Sequence, residues 1–185
     1  MCAATFGWQQ ANGAATGSPA TGTTISSGAN APTECNWSSS DTCAENGGTV
    51  YSSAPVVAGT NSFEKWLFGY FSGSYNQISA GLFAHVSGVF GTGLTLNLGV
   101  TSSYTTPSQS LNSTACTINA TTAIAISAGA TVLFSPTSPQ AASPTSTLTA
   151  STGYTQFLVT QLVTTTSAGA GDCASQTLEL SYNEN

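Results

Sequence analysis

The stretch NSFEKWLFGYF, residues 61–71, decides how the rest of this sequence is interpreted. It contains Lys65, the only Lys or Arg in the chain, together with five aromatic side chains. Aromatic residues favour strands, and here apolar residues fall on both faces of the extended chain. That pattern is typical of a strand in the middle of a sheet that is covered on both sides. The stretch therefore predicts a central β-strand that holds the chain's only strongly basic side chain.

The alternation of a strand places Lys65 on the face opposite to Glu64 and Trp66. We expect its aliphatic stem to lie on apolar surface while the ammonium group reaches solvent or a carboxylate. Glu179 and Glu184 near the C-terminus are the candidate carboxylates. The alternative is that Lys65 lies on an edge strand, where a charge discourages pairing with other chains.

From Val50 onward the sequence predicts strands separated by turns. Apolar and polar residues alternate most clearly over residues 94–98, 154–164 and 177–182. Further strands are predicted in NQISAGLFAHVSG, in TAIAISAG, which alternates with Ile124 and Ile126 on one face, and in the short ATVLFS. The signals in VTSSYTTPSQ and TACTIN are weaker. Residues 135–150 are predicted to be a loop, because three prolines exclude a central strand.

About eight short strands without an amphipathic helix predict an all-β fold, an antiparallel β-sandwich with the jelly roll as one form of it. Residues 49–185 are predicted to form this domain. Residues 1–48 are predicted to be an extended, irregular N-terminal arm, because Gly, Ala, Ser, Thr and Pro follow each other there without a sustained period. Trp8 and Trp37 are its candidate anchors, on a neighbouring protein or on its own domain. We expect the arm to contribute more to assembly than to folding.

The low content of charged residues excludes two classes of binding partner. Charged residues make up 4% of the chain, against about 25% in ordinary soluble domains. The net charge is −6, and a single lysine cannot neutralise the phosphates of a nucleic acid or an anionic membrane surface. No apolar run approaches the length of a membrane span, and the N-terminus does not resemble an export signal. We therefore expect neither nucleic acid nor membrane as a partner.

The five cysteines leave at least one thiol unpaired. Cys35 and Cys43 are the first candidates for a disulfide, because the short polar segment between them closes easily. Cys116 with Cys173 is the second choice, and Cys2 is the expected odd thiol. Free buried thiols are the alternative to the Cys35–Cys43 disulfide.

Patterns that carry catalysis or bind metals are weak in this sequence. There is no G-x-S-x-G elbow, no C-x-x-C pair and no D-x-D-x-D-G loop. The one histidine and the acids beyond residue 45 are His85, Glu64, Asp172, Glu179 and Glu184. We expect no enzymatic activity, no cofactor and no metal site.

Three segments resemble a known family. They are AGTNSFEKWLFGYFSGSYNQISAGLF, GTGLTLNLGVTSSYTTP, and YTQFLVTQLVTTTSAGAGD with the ending LELSYNEN. They resemble small virion proteins of tailed bacteriophages, in which an N-S-x-E-K-x segment, a G-x-G strand, a T-Y/S-x-x-P turn and a Y-T-x-x-L-x-x-Q-L strand follow in this order. The resemblance covers residues 57–108 and 153–185. The family is usually richer in charge, and the arm and the loop 135–150 have no counterpart in it.

The resemblance implies a non-enzymatic virion structural protein, a capsid decoration or cement protein on the outer surface of the phage particle. Its expected partners are the major capsid protein or another virion protein, and further copies of itself in a homo-oligomer. Trp8, Trp37 and Lys65 are the candidate interface residues. Two alternatives stay open: a tail or baseplate accessory protein, and a carbohydrate-binding adhesin that presents Trp37, Tyr51 or Tyr104 to sugars.

Overall fold

A computed structural model describes residues 3–13, 22–24, 36–41, 53–87, 90–110, 118–120, 130–169 and 176–185. Its elements in these ranges are twelve β-strands. They are β1 Ala3–Ala11, β2 Gly22–Thr24, β3 Lys65–Ser74, β4 Ile78–Ser87, β5 Leu94–Thr101, β6 Ile118–Ala120, β7 Ala130–Thr131, β8 Phe134–Ser135, β9 Thr147–Leu148, β10 Thr152–Thr155, β11 Phe157–Thr164 and β12 Thr177–Glu184. The prediction of an all-β protein is confirmed.

The strands form two antiparallel sheets. The larger sheet runs in the order β2-β1-β3-β11-β5-β6, with β10 paired to both β3 and β8, and it curls into a half-barrel. The smaller sheet runs in the order β12-β4-β7, with β9 also paired to β4. Every strand pair in the described residues is antiparallel.

Strand β3 lies in the middle of the larger sheet, with β1 on one side and β10 and β11 on the other. Leu67 and Phe71 point into one buried cluster, while Trp66 and Phe68 point into a second cluster on the opposite face. The prediction of a central strand covered on both faces is therefore confirmed. Each such side chain contributes about 1.5–3 kcal/mol relative to an exposed position.

The two buried clusters lie on opposite faces of the larger sheet. The inner core takes side chains from both sheets, namely Leu67, Phe71, Tyr75, Ile78, Phe83, Phe90, Leu96, Leu98, Val132, Phe134, Leu148, Leu158 and Leu162. The outer cluster consists of Ala11, Trp66, Phe68, Tyr104, Phe157 and Val159. Strand β11 joins the two, because its alternate residues face the inner core and the outer cluster.

The N-terminal segment differs from the sequence-based expectation. Ala3–Ala11 is a strand that pairs with β3 along its whole length, from Ala3 opposite Ser74 to Ala11 opposite Trp66. The prediction of an irregular chain is therefore wrong for these nine residues, and also for Gly22–Thr24, which pairs with β1. The ladder with β3 stabilises a segment whose own composition specifies no element. The division into an arm, 1–48, and a domain, 49–185, stays a prediction, because most of residues 12–48 lie outside the described ranges.

The long strand predicted near residues 154–164 is divided in two at Gln156. The backbone N–H of Gln156 donates to the carbonyl oxygen of Leu133 at 2.9 Å, and its side-chain Oε1 accepts from the N–H of Leu133 at 3.0 Å. Gln156 therefore turns from β3 toward a neighbouring segment, and β10 and β11 are separate strands. The predicted loop 135–150 contains only the last residue of β8 and the two-residue strand β9. The segment with Ile124 and Ile126 lies outside the described residues.

Candidate functional site

Two charged residues are buried side by side at the start of β3. Glu64 is 1% exposed and Lys65 is 0% exposed, and they point to opposite faces of the sheet. Lys65 lies opposite Thr160 of β11, in the middle of the sheet. The predictions of an ammonium group in solvent and of an edge lysine are therefore both wrong. Lys65 does have an interaction partner.

The carboxylates proposed as partners of Lys65 lie on β12. Glu179 is exposed and stands opposite Ala84 of β4. Glu184 Oε1 accepts a hydrogen bond from the N–H of Ala4 at 2.9 Å. Glu184 therefore joins the end of β12 to the start of β1, where the edges of the two sheets approach each other.

Glu64 is held by the segment that follows β5. Its Oε2 accepts hydrogen bonds from Trp66 Nε1 at 3.1 Å and from the N–H of Ser108 at 3.4 Å. Its own N–H donates to the carbonyl oxygen of Ser108 at 3.1 Å. The second carboxylate oxygen, Oε1, is buried and has no hydrogen-bond partner in the described chain. One carboxylate oxygen is thus fixed, and the other is left without a donor.

Gln161 of β11 reaches the same segment from the other side. Its Nε2 donates to the carbonyl oxygens of Ser62, Ser108 and Ser110 at 3.0, 3.3 and 3.4 Å. Ser62 in turn exchanges bonds with Leu162, whose N–H donates to Ser62 Oγ at 3.0 Å. We call Glu64, Gln161, Ser62 and Ser108 the polar cluster. It ties the segments before β3 and after β5 to β11.

The sequence analysis missed the polar cluster as a unit. One signal was present, because Gln161 shares a face of β11 with Phe157 and Val159, which lie in the outer cluster. A single amide in an apolar row needs partners when it is buried. The partners are backbone carbonyl groups of Ser62, Ser108 and Ser110, and no sequence pattern predicts which carbonyl groups a buried amide will meet.

An aromatic row extends along the outer face of the larger sheet. Trp66 contacts Tyr104 and Phe157 with ring centroids 5.1 and 5.5 Å apart. Phe68 continues the row from Phe157 to Tyr154. Tyr154 and Tyr70 end the row, 5.2 Å apart and both half-buried. The row is thus buried at Trp66 and reaches the surface at the two tyrosines.

The aromatic residues proposed to bind sugars do not form one surface. Tyr104 is only 7% exposed, and its hydroxyl group donates to the carbonyl oxygen of Gly13 at 2.8 Å. The proposal that it presents its ring to a sugar is therefore wrong. Trp37 is half-buried with its Nε1 bonded to Thr160 Oγ1 at 3.0 Å, and Tyr51 lies outside the described residues.

Both tryptophans of the predicted arm pack on the protein's own domain. Trp8 stacks on Phe83 of the smaller sheet at 5.5 Å and meets Phe6 edge-on at 5.3 Å. Trp37 packs against the inner core as well. The sequence left open whether Trp8 and Trp37 anchor on a neighbouring protein or on their own domain, and in the structure both pack on their own domain. A role of Trp8, Trp37 and Lys65 in an interface with another protein stays a prediction.

The surface of the protein carries no lysine or arginine side chain. Because Lys65 is the only Lys or Arg and is fully buried, no such side chain reaches solvent anywhere on the molecule. Glu179 and Glu184 are exposed. The exterior can therefore offer carboxylates and neutral polar groups to a partner, but no lysine or arginine side chain.

The remaining candidate residues are described only in part. His85 lies in β4 opposite Leu178. The disulfide candidates Cys35, Cys43, Cys116 and Cys173, with Cys2, all lie outside the described residues. Among the residues that the structure does describe, His, Cys, Asp and Glu nowhere form a group of three that could hold a metal ion. Nor does this part of the chain contain a helix long and apolar enough to cross a membrane.

No family model, curated protein or solved structure matches this chain.

Proposed function

We propose that this protein is a non-enzymatic structural protein of a tailed-phage particle, which decorates the outside of the head and stabilises it. The observation that carries the proposal beyond the motif resemblance is the burial of Lys65. In a chain of 185 residues with no Lys or Arg at its surface, the polar part of that surface consists of neutral groups and a few carboxylates. Its partner on the particle is the major capsid protein or another virion protein.

A neutral polar surface suits permanent docking on a shell. Neutral hydroxyl and amide groups cost less to remove from water than charged groups do, and they regain hydrogen bonds across an interface. Attraction between opposite charges is screened by salt, whereas contacts between neutral groups are screened far less. A decoration protein with this surface should therefore stay bound over a wide range of ionic strength.

The proposal includes the finer architecture. We interpret the two sheets as a β-sandwich of jelly-roll type, which would act as a rigid block on the shell. The inner core supports this interpretation, because it takes Leu67 and Leu158 from the larger sheet and Phe83 from the smaller one. The packing of Trp8 on Phe83 adds a contact between the sheets.

The test is binding of the purified chain to phage heads assembled without it. Attraction between exposed charges is already strongly screened at about 0.1 M salt. If neutral groups dominate the interface, the chain should sediment with the heads at both about 50 and about 500 mM NaCl. Electron microscopy should show it on the head exterior. Density on the tail would support the tail or baseplate alternative. Loss of sedimentation at the higher salt concentration would contradict docking through neutral groups. The mass of the free protein in light scattering would report whether it forms a homo-oligomer.

The adhesin alternative is favoured by one observation, the half-buried pair Tyr70 and Tyr154 at the end of the aromatic row. Aromatic side chains with one accessible part are common in recognition surfaces. Retention on immobilised glycans that is lost in Tyr70→Ala, but kept in the control Val57→Ala, would favour the adhesin. Val57 is exposed and lies outside both buried clusters.

A further inference from the structure

Three buried oxygen atoms on the outer face of the larger sheet have no hydrogen-bond donor. They are Glu64 Oε1, Gln161 Oε1 and Asn97 Oδ1, and none has a partner in the described chain. Their side chains are 1%, 0% and 7% exposed. A buried acceptor without a partner costs about 1–3 kcal/mol, and more when it carries charge. Three such atoms on neighbouring strands therefore call for a common explanation.

The register of the sheet brings the three side chains together. Asn97 of β5 stands directly opposite Gln161 of β11, so their side chains lie on the same face. On the other side of β11, Glu64 and Gln161 share a partner in Ser108. The Ser108 carbonyl oxygen accepts from the N–H of Glu64 at 3.1 Å and from Gln161 Nε2 at 3.3 Å. Glu64, directly before β3, thus forms a polar row with Gln161 of β11 and Asn97 of β5 on the outer face of the larger sheet.

The orientation of the central amide is fixed by its partners. Gln161 Nε2 faces the carbonyl oxygens of Ser62, Ser108 and Ser110. Rotating the amide by 180° would bring Oε1 toward three other oxygen atoms, which repel it. Gln161 Oε1 therefore remains an acceptor that is directed away from these carbonyl groups.

We propose that Glu64, Gln161 and Asn97 bind a monovalent metal cation through these three oxygens. A set made only of carboxylate and amide oxygens suits hard cations rather than thiophilic metals. The set contains one carboxylate, so a monovalent cation leaves the buried site neutral, whereas a divalent cation leaves one uncompensated positive charge. Uncompensated charge is costly at this depth. Because the site ties β11 to its neighbours, binding would stabilise the folded chain.

The experiment is thermal unfolding of the full chain in NaCl and in choline chloride at equal ionic strength. Choline is a cation of the same charge that is too large for three protein oxygens. We expect a higher Tm in NaCl, with a saturable dependence on the Na⁺ concentration. At Na⁺ ten times above its dissociation constant the folding equilibrium should increase roughly tenfold, a rise in Tm of about 3–6 °C for a chain of this size.

Variants of the proposed ligands test whether the difference in Tm between NaCl and choline chloride arises at this site. Glu64→Gln keeps the shape and removes the charge, and Asn97→Ala removes one oxygen, so both should lose most of the difference between Na⁺ and choline. Glu179→Gln is the matched control, because it removes the same charge from an exposed position, and it should keep the difference. If Glu64→Gln does not fold, Asn97→Ala decides alone.

Two results would overturn the proposal. The first is an equal Tm of the wild type in NaCl and in choline chloride. The second is a difference that persists unchanged in Asn97→Ala, or one that rises linearly with concentration, since either indicates a general salt effect. Neither result bears on docking to phage heads.

Discussion

Gln161 occupies a position on the outer face of β11 that its neighbours Phe157 and Val159 fill with apolar side chains. It is fully buried, yet its amide group joins β11 to Ser62 before β3 and to Ser108 after β5. A buried amide nitrogen that donates to particular carbonyl groups favours one arrangement of the backbone around it. At this position the side chain acts on the fold through backbone carbonyl groups rather than through apolar packing.

Replacing Gln161 by methionine should therefore destabilise the protein. Methionine keeps the length of the side chain but leaves the Ser62 carbonyl group without its donor at 3.0 Å. We expect a loss of about 1–3 kcal/mol in the free energy of unfolding, measured by urea denaturation. Gln77→Met, in the turn before β4, is the control and should change stability by less than about 0.5 kcal/mol. Equal effects of the two substitutions would show that the amide is not needed.

Removing the buried hydroxyl group of Tyr75 should not destabilise the protein, in contrast to removing the amide of Gln161. Its hydroxyl group is buried with no hydrogen-bond partner in the described chain, so Tyr75→Phe removes an unsatisfied group. We expect the variant to be as stable as the wild type or more stable by about 1 kcal/mol at pH 7. Tyr104→Phe is the control, because its hydroxyl group donates to Gly13 and its loss should destabilise. Destabilisation by Tyr75→Phe would reveal a partner of the hydroxyl group.

The same tyrosine should affect stability in alkaline solution. Burial, and then the charge of Tyr70, raise the pKa of Tyr75, while burial, and then Glu184, raise the pKa of Tyr182. The folded state therefore keeps these protons to a higher pH than the unfolded state does. The stability they contribute is complete below the ordinary tyrosine pKa of about 10 and is lost as the pH rises through the folded values. Denaturation above pH 10 should show a smaller loss in Tyr75→Phe than in the wild type.

Strand β1 shows how an element can depend on its neighbour. Its Phe6 and Trp8 lie on one face, but apart from Thr5 the residues around them are Gly, Ala and Gln, which do not favour a strand. The element exists because β3 offers a complete ladder and Phe83 offers a surface for Trp8. The expectation that residues 1–48 contribute more to assembly than to folding stays a prediction.

Truncating Trp8 should therefore weaken the fold itself. We expect Trp8→Ala to lower the free energy of unfolding by about 2–4 kcal/mol, at the lower end of large-to-small changes because the ring is only half-buried. Val57→Ala, at an exposed position, is the control and should stay within about 0.5 kcal/mol. An unchanged Tm in Trp8→Ala would indicate that β1 contributes little to the domain.

Strand β4 contains a second element-level feature, a bulge at Ala80. The register with β12 shifts between Ser181 and Asn183, and Ala80 adopts a φ of 53°, which glycine tolerates better than other residues. Ala80→Gly should therefore stabilise the protein or leave it unchanged, within about 1 kcal/mol. Ala84→Gly in the same strand is the control and should destabilise, as measured by thermal unfolding. Clear destabilisation by Ala80→Gly would contradict the strained conformation.

The molecule as a whole has an exterior without Lys or Arg side chains. The only one is buried in the middle of the larger sheet, so even local clustering cannot create a basic patch. We expect the native protein to pass through a heparin column without retention at low salt, because binding to polyanions depends on release of counterions by such groups. A control domain of similar size with exposed lysines should be retained. Retention of this protein would require Lys65 to reach solvent.

The amino-acid sequence by itself determined the fold class, because alternation in β5, β11 and β12 and the apolar faces of β3 are local properties of the chain. It also determined that the molecule has almost no basic charge. Only the tertiary structure decided that Lys65 is buried, that Ala3–Ala11 is a strand, and that Glu64, Gln161 and Asn97 share one face. These features depend on which strands are neighbours, and that choice is made by the packing of residues distant in sequence. A local pattern gives the faces of a strand, whereas the partner across each face is set by the whole sheet.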